Sequence, residues 1–221
     1  MKHRLFVTAA AMLLASSSLS AQEPSGFDKF LKQIWFPTEF GLSSPSQDGM
    51  SGGMVTRISI EWRQEPQTGL CASAQLDTRF ESYDGIVPVG SNLSNADVQF
   101  DDFYLGAGYR FKLSDNFCVA AMLHAGATSC SYQTIKTTLD TGNIQEIGGS
   151  EPISLYYEFD RRSALVPTVK LTSFFEYYIA PDFCVFLTAG YLQHLQKTPF
   201  ALTSQKDGAA VFSLGFTAAI F

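Results

Sequence analysis

Apolar and polar residues alternate with a period of two in eight stretches of the chain. Between Met54 and Arg63, for example, Ile58 and Ile60 share one face while Arg57 and Glu61 share the other. Successive side chains of a β-strand point to opposite faces, whereas a helix repeats every 3.6 residues. The alternation therefore predicts eight β-strands. The other seven stretches begin near Phe36, Gly69, Phe100, Phe117, Leu165, Phe183 and Val211.

The connections between these stretches alternate strictly in length. Short turns rich in Pro, Asp, Asn and Ser occupy residues 64–68, 113–116 and 180–182. Long polar connections occupy roughly residues 43–53, 81–98, 131–160 and 193–207. Because the strands run up and down, all the short turns lie at one end and all the long loops at the other.

Charged residues on the polar faces favour a membrane barrel over a soluble β-sandwich. A sandwich buries its apolar faces, whereas a barrel in lipid turns them outward and encloses the polar ones. Aromatic residues such as Trp62, Phe111 and Phe183 lie where strands meet turns, as in an interfacial girdle. The prediction is an all-β fold, an eight-stranded antiparallel up-and-down transmembrane β-barrel with short periplasmic turns and longer extracellular loops. Its lumen-facing charges are Glu39, Arg57, Glu61, Asp77, Arg79, Arg110, Lys170 and Glu176.

The N-terminus has the three-part layout of a secretory signal peptide. Basic residues at the start precede an apolar run from Leu5 to Ala15 and small residues from Ser16 to Ala21. We therefore predict a signal peptide over residues 1–21. Residues 22–34 form a lead-in segment, either a short amphipathic helix or an irregular approach to the first strand, and residues 35–221 form the barrel.

Composition removes several classes of function. The net charge of −6 gives no electrostatic reason to bind nucleic acid. No GxSxG, HExxH, glycine-rich phosphate loop or paired CxxC occurs, so the sequence predicts no cofactor, no metal ligands and no catalytic residues.

The chain resembles the small eight-stranded outer-membrane β-barrel proteins of Gram-negative bacteria, a porin-like barrel family. The resemblance rests on the signal peptide, the even strand count, the unequal lengths of turns and loops, and the ending "VFSLGFTAAIF". The resemblance covers residues 35–221. It implies the bacterial outer membrane as location, periplasmic termini, and membrane lipids and the outer-membrane assembly machinery as partners. That machinery favours a terminal aromatic, although the outward stripe here is in phase with Ile220 and not with Phe221.

The four cysteines predict small apolar fillers of the lumen. Cys71, Cys118 and Cys184 open the third, fifth and seventh predicted strands on the inward face. Strands two apart lie on the order of 10 Å from each other, beyond the Cα reach of about 4.4–6.8 Å that a disulfide allows. Cys130 lies near the opposite end of the fifth strand. A disulfide is the alternative interpretation.

Three functional hypotheses follow. The first is a structural or surface-exposed protein whose lumen is plugged by salt bridges and whose loops, above all the one between Cys130 and Arg161, are free to bind extracellular ligands. The second is a porin-like low-conductance channel for small solutes. The third is a lipid-modifying enzyme using His194 with Ser204 and Asp207. The sequence predicts no particular oligomeric state.

Overall fold

The fold is described by a computed structural model for residues 26–83, 96–139, 155–198 and 207–219. The predicted signal peptide lies outside these residues. A short helix, α1, spans Gly26–Leu31, within the lead-in segment. Ten strands follow in the described ranges: β1 Ile34–Trp35, β2 Thr38–Pro45, β3 Met50–Ser51, β4 Met54–Arg63, β5 Gly69–Tyr83, β6 Ala96–Lys112, β7 Phe117–Leu139, β8 Leu155–Ala180, β9 Phe183–His194 and β10 Gly208–Ala218.

Eight of these strands close into a barrel. Each of β4 to β9 pairs antiparallel with the next strand in the chain, and β2 pairs with both β4 and β10. The closing register places Phe212 opposite Leu42. Closure pairs the backbone groups of every wall strand with a neighbour and leaves no sheet edge in the wall. The predicted eight-stranded antiparallel barrel is confirmed.

Two short strands supplement the wall. Strand β1 places Trp35 opposite Glu61 of β4, and a single bridge also joins Trp35 to Ala219 beyond β10. Strand β3 places Met50 opposite Tyr83 at the loop end of the barrel. A two-residue strand leaves no alternation to detect, so sequence reasoning did not separate these strands from the segments around them.

The apolar stripes point outward, as predicted. Ile58, Leu105 and Phe216 lie on different strands, and their side chains are 58%, 59% and 49% exposed. Their neighbours along each strand face the lumen. Such a surface is unfavourable in water, and it is the surface that a barrel presents to hydrocarbon. No helix within the described ranges has the length and hydropathy of a membrane span.

One predicted loop is wrong over much of its length. The sequence predicts a loop over residues 131–160, but β7 continues to Leu139 and β8 begins at Leu155, and these two residues pair with each other. This extension carries Tyr, Thr and charged residues without the apolar alternation that marks lipid-facing strands. The wall therefore continues as a hairpin beyond the end of β9, which pairs with β8 only from Thr168 onward.

Because the outward stripe faces lipid, the loss of folding free energy caused by a charged substitution there should depend strongly on depth in the bilayer. Replacing Leu123 of β7 with Arg puts a charge among lipid-facing residues, and we expect a loss of about 2–4 kcal/mol in folding free energy. Urea unfolding in phospholipid vesicles measures this loss. Leu113→Arg is the matched control, because Leu113 is equally exposed at 63% but lies in a periplasmic turn. Equal losses in the two variants would contradict the lipid-facing assignment.

Candidate functional site: the barrel lumen

All eight predicted charges lie on the inner face of the barrel and are at most 2% exposed. Three further charged side chains, Arg63, Glu81 and Asp102, are buried with them. The eleven residues form three layers along the barrel axis. The periplasmic layer contains Glu61, Arg63, Arg110 and Glu176; the central layer contains Glu39, Arg57, Asp77 and Lys170; the outer layer contains Arg79, Glu81 and Asp102.

The central layer is built around two basic groups that share one carboxylate. Glu39, Arg57 and Asp77 are register partners on three adjacent strands. Arg57 binds Glu39 and donates from Nε to Asp77 Oδ1 at 3.0 Å. Lys170 reaches from β8 to Asp77 Oδ2 at 2.8 Å, and Gln75 donates to Oδ1 at 2.7 Å. Asp77 therefore links neighbouring strands to a strand on the far side of the lumen.

The periplasmic layer alternates two guanidinium groups with two carboxylates. Arg110 binds both Glu61 and Glu176. Arg63 Nη2 lies 3.4 Å from Glu61 Oε2 and 3.3 Å from Glu176 Oε1. The hydroxyl of Tyr178 accepts a hydrogen bond from Arg63 Nη1 at 2.8 Å. Charge-assisted bonds of this kind are the stronger class in proteins, and here they join three different strands.

Trp35 lies at the periplasmic end, beneath this layer. Its side chain is 1% exposed, and the Arg63 guanidinium carbon lies 4.1 Å from the centre of the indole ring. Tyr178 meets the same indole edge-on, with ring centroids 6.0 Å apart. This arrangement combines a cation–π contact with an apolar cover over the buried charges.

The cysteines fill the lumen without bridging. All four are free and buried, as the strand spacing predicts. Cys71, Cys118 and Cys184 belong to the same apolar cluster as Trp35, at the periplasmic end, whereas Cys130 packs in a second cluster near the outer end. Among the described residues, no group of three or more His, Cys, Asp or Glu is positioned to hold a metal ion.

The outer layer joins an ion pair to a chain of hydroxyl groups. Arg79 donates to Asp102 at 3.0 Å and to Glu81 at 2.9 Å. Thr128 donates to the other oxygen of Asp102 and lies 2.7 Å from the hydroxyl of Thr168. Arg79, Asp102, Thr128 and Thr168 therefore form one hydrogen-bonded chain across four neighbouring strands, β5 to β8.

His194 continues this chain, and the structure separates it from the proposed catalytic partners. Its Nδ1 lies 2.8 Å from the Thr168 hydroxyl, and its ring stacks on Phe100. The Asp207 carboxylate accepts a hydrogen bond from Thr198 instead, and only the backbone joins His194 to Asp207. Ser204 lies outside the described residues. The described part of the proposed triad is therefore not assembled.

Sequence reasoning left Arg63, Glu81 and Asp102 out of the network, although each stands in the inward phase of its strand. Glu81 follows Asp77 and Arg79 at two-residue steps, but it stands at the start of the predicted loop 81–98. Asp102 lies two residues before the buried Tyr104, in the inward phase of β6. Extending the alternation by one step in each strand would have found both.

Neither a protein-family model nor a curated protein sequence matches this chain. Solved structures do resemble it. Neisserial surface protein A superposes with a TM-score of 0.53 at 15% identity, over 85% of this chain and 97% of that one. A major outer membrane protein from Thermus thermophilus superposes with a TM-score of 0.51 at 12% identity, over 84% and 98%. The fold is thus that of outer-membrane β-barrels. Together with the apolar exterior and the closed wall, it places this chain in the bacterial outer membrane.

The ion pairs of the lumen predict that replacing two neighbouring basic residues of β6, Arg110 and Lys112, lowers the unfolding free energy by unequal amounts. Arg110→Met leaves Glu61 and Glu176 buried with only Arg63 to neutralise them, and we expect a loss of roughly 3–5 kcal/mol in unfolding free energy. Urea unfolding in vesicles again gives the measurement.

The control is Lys112→Met, two residues along the same strand. Lys112 lies 2.9 Å from Asp115 at the solvent-exposed periplasmic turn, and its hydrogen bond lowers the pKa of that carboxyl group. An exposed pair of this kind contributes little to stability, so the control should unfold almost as the wild type does. If Arg110→Met unfolded at the same urea concentration as the wild type, the lumen charges would not be coupled as described.

Proposed function

We propose that this eight-stranded outer-membrane barrel is a structural or surface-exposed protein whose lumen is closed by salt bridges. The observation that carries the proposal is the position of Arg110. This residue lies on β6 and binds Glu61 of β4 and Glu176 of β8. In the closed order of the eight strands, β4 and β8 stand on opposite sides of the wall. The bridge therefore spans the full diameter of the lumen.

The width of the barrel supports the same proposal. An eight-stranded barrel encloses a space that side chains can just fill. Lys170 and Asp77, whose charged atoms meet at 2.8 Å, also stand on well-separated strands, so a second bridge crosses the central layer. The buried ring of Trp35 covers the periplasmic end. Three successive obstacles along one axis leave little room for a hydrated ion.

The extended β7–β8 hairpin supports a surface role. Beyond the last pairing of β8 with β9, Glu158, Asp160, Arg161 and Arg162 are exposed. A hairpin that rises above the rest of the wall presents its side chains to the exterior, where extracellular ligands bind. We propose it as the part of the barrel that contacts such ligands.

A low-conductance channel is the second candidate, and one feature of the lumen favours it. The buried hydroxyls of Thr172, Thr188 and Thr217, and one oxygen of Glu39, have no hydrogen-bond partner among the described residues. These groups lie on β8, β9, β10 and β2, which are neighbours in the wall. Buried polar groups are normally satisfied, and water satisfies them where protein does not. A hydrated strip along this side would be the route for small solutes.

Planar-bilayer recording separates the two candidates. If salt bridges close the lumen, the purified wild-type protein should show no stable open level. The channel would be favoured over the plug if the wild type held a stable open level that Arg110→Ala altered. Lys112→Ala serves as the control for insertion and net charge, because it removes one positive charge outside the lumen.

The hypothesis of a lipid-modifying enzyme is tested by the composition of the outer-membrane lipids. If the barrel is structural, His194→Ala should leave the composition of the outer-membrane lipids unchanged, since the His194 ring is committed to Thr168 and Phe100. Mass spectrometry of extracted lipids from cells with either protein makes the comparison. A lipid species that disappears with the substitution, while the folded barrel is still present, would restore the enzyme hypothesis.

A further inference from the structure

The outer surface of the barrel changes from apolar to polar along one line near the loop end. On β8, Leu165 is the last lipid-facing leucine and is 71% exposed, and the next outward positions are Ser163 and Arg161. On β6, the outward face changes in the same way from Phe103 to Asp101. A transmembrane barrel changes from hydrocarbon to headgroups at such a line. Arg161 thus stands just outside the hydrocarbon, at headgroup level.

Neutral groups on two neighbouring strands hold the Arg161 side chain. Its Nε donates to the Ser131 hydroxyl of β7 at 2.8 Å, and its Nη2 lies 3.3 Å from the Gln99 side-chain oxygen of β6. Gln99 is the register partner of Phe80, an outward aromatic that is 51% exposed. The guanidinium group therefore lies against the outer wall, level with an aromatic residue of the kind found at membrane interfaces.

No carboxylate of the described residues pairs with this guanidinium group. The nearest acid in the hydrogen-bonded chain is Asp101, whose carboxylate accepts from the Thr78 hydroxyl at 3.0 Å and from the Gln99 amide at 2.9 Å. The guanidinium group of Arg161 thus has no acidic partner among the described residues, while two of its nitrogens are held by Ser131 and Gln99. A planar guanidinium group held in this way suits a phosphate, which accepts two parallel hydrogen bonds.

We propose that Arg161, positioned by Ser131 and Gln99, binds the phosphate of a lipid headgroup in the outer leaflet. Charge complementarity selects an anion, and the height of the site selects a headgroup anion over a soluble one. The inference does not depend on whether the lumen conducts, because the site is on the opposite face of the wall.

The neighbouring residue gives a matched control. Arg162 has the same side chain but stands in the inward phase of β8, and its Nε lies 3.5 Å from Asp160. Removing either arginine changes the net charge equally. Only Arg161 faces the lipid.

The experiment uses the full barrel, refolded in uncharged maltoside micelles, with bisphosphorylated lipid A as the probe. Heat-modifiability on a detergent gel gives the temperature at which half of the barrel unfolds. We expect the lipid to raise this temperature saturably in the wild type and in Arg162→Ala. In Arg161→Ala, the concentration needed for half of the effect should rise about tenfold or more, as loss of a charge-assisted contact implies.

Two further probes identify the ligand. Lipid A from which both phosphates have been removed should produce no shift, and inorganic phosphate at the same concentrations should produce none. Equal responses of Arg161→Ala and Arg162→Ala to lipid A would overturn the proposal. A shift produced by inorganic phosphate alone would also overturn it, because the site would then recognise a free anion.

Discussion

Hydrocarbon offers no hydrogen-bond partner to a peptide group, and this constraint underlies every other feature of the molecule. A sheet that crosses a membrane must close on itself, which β2 and β10 accomplish by pairing. Closure fixes an outside and an inside, and the two-residue period of a strand then assigns each side chain to one or the other. The apolar exterior and the charged lumen are two results of one requirement.

Closure of the sheet creates a second requirement, which is that the charged groups inside the lumen must be paired. Polar residues that turn away from lipid enter an interior that side chains can just fill, where an unpaired charge is costly. Five basic groups therefore each contact a carboxylate, and Asp77, Glu61 and Glu176 each serve two. Replacing such a set with apolar residues of similar volume could be equally stable. The network joins strands that are not neighbours in the wall, as Arg110 does between β4 and β8.

Much of this architecture could be predicted from the sequence, because alternation and connection length are local properties. The inward phase of Arg57, Arg110 and Lys170 follows from their own strands. Which acid each of them meets does not, since the partners of Arg110 lie on strands two steps away in either direction, and their relative height depends on the stagger of the whole barrel. The extension of β7 and β8 was missed for a different reason. Above the membrane no lipid enforces alternation, so the strands lose the pattern that reveals them.

Trp35 connects the N-terminal and C-terminal parts of the barrel. It pairs with β4 near the N-terminus of the barrel, forms a bridge with Ala219 just beyond the last strand, and lies over Arg63 inside the periplasmic mouth. These three contacts can coexist only after the last strand has joined the first. The indole therefore reaches its final environment at the end of assembly, which makes it an internal marker of a completed wall.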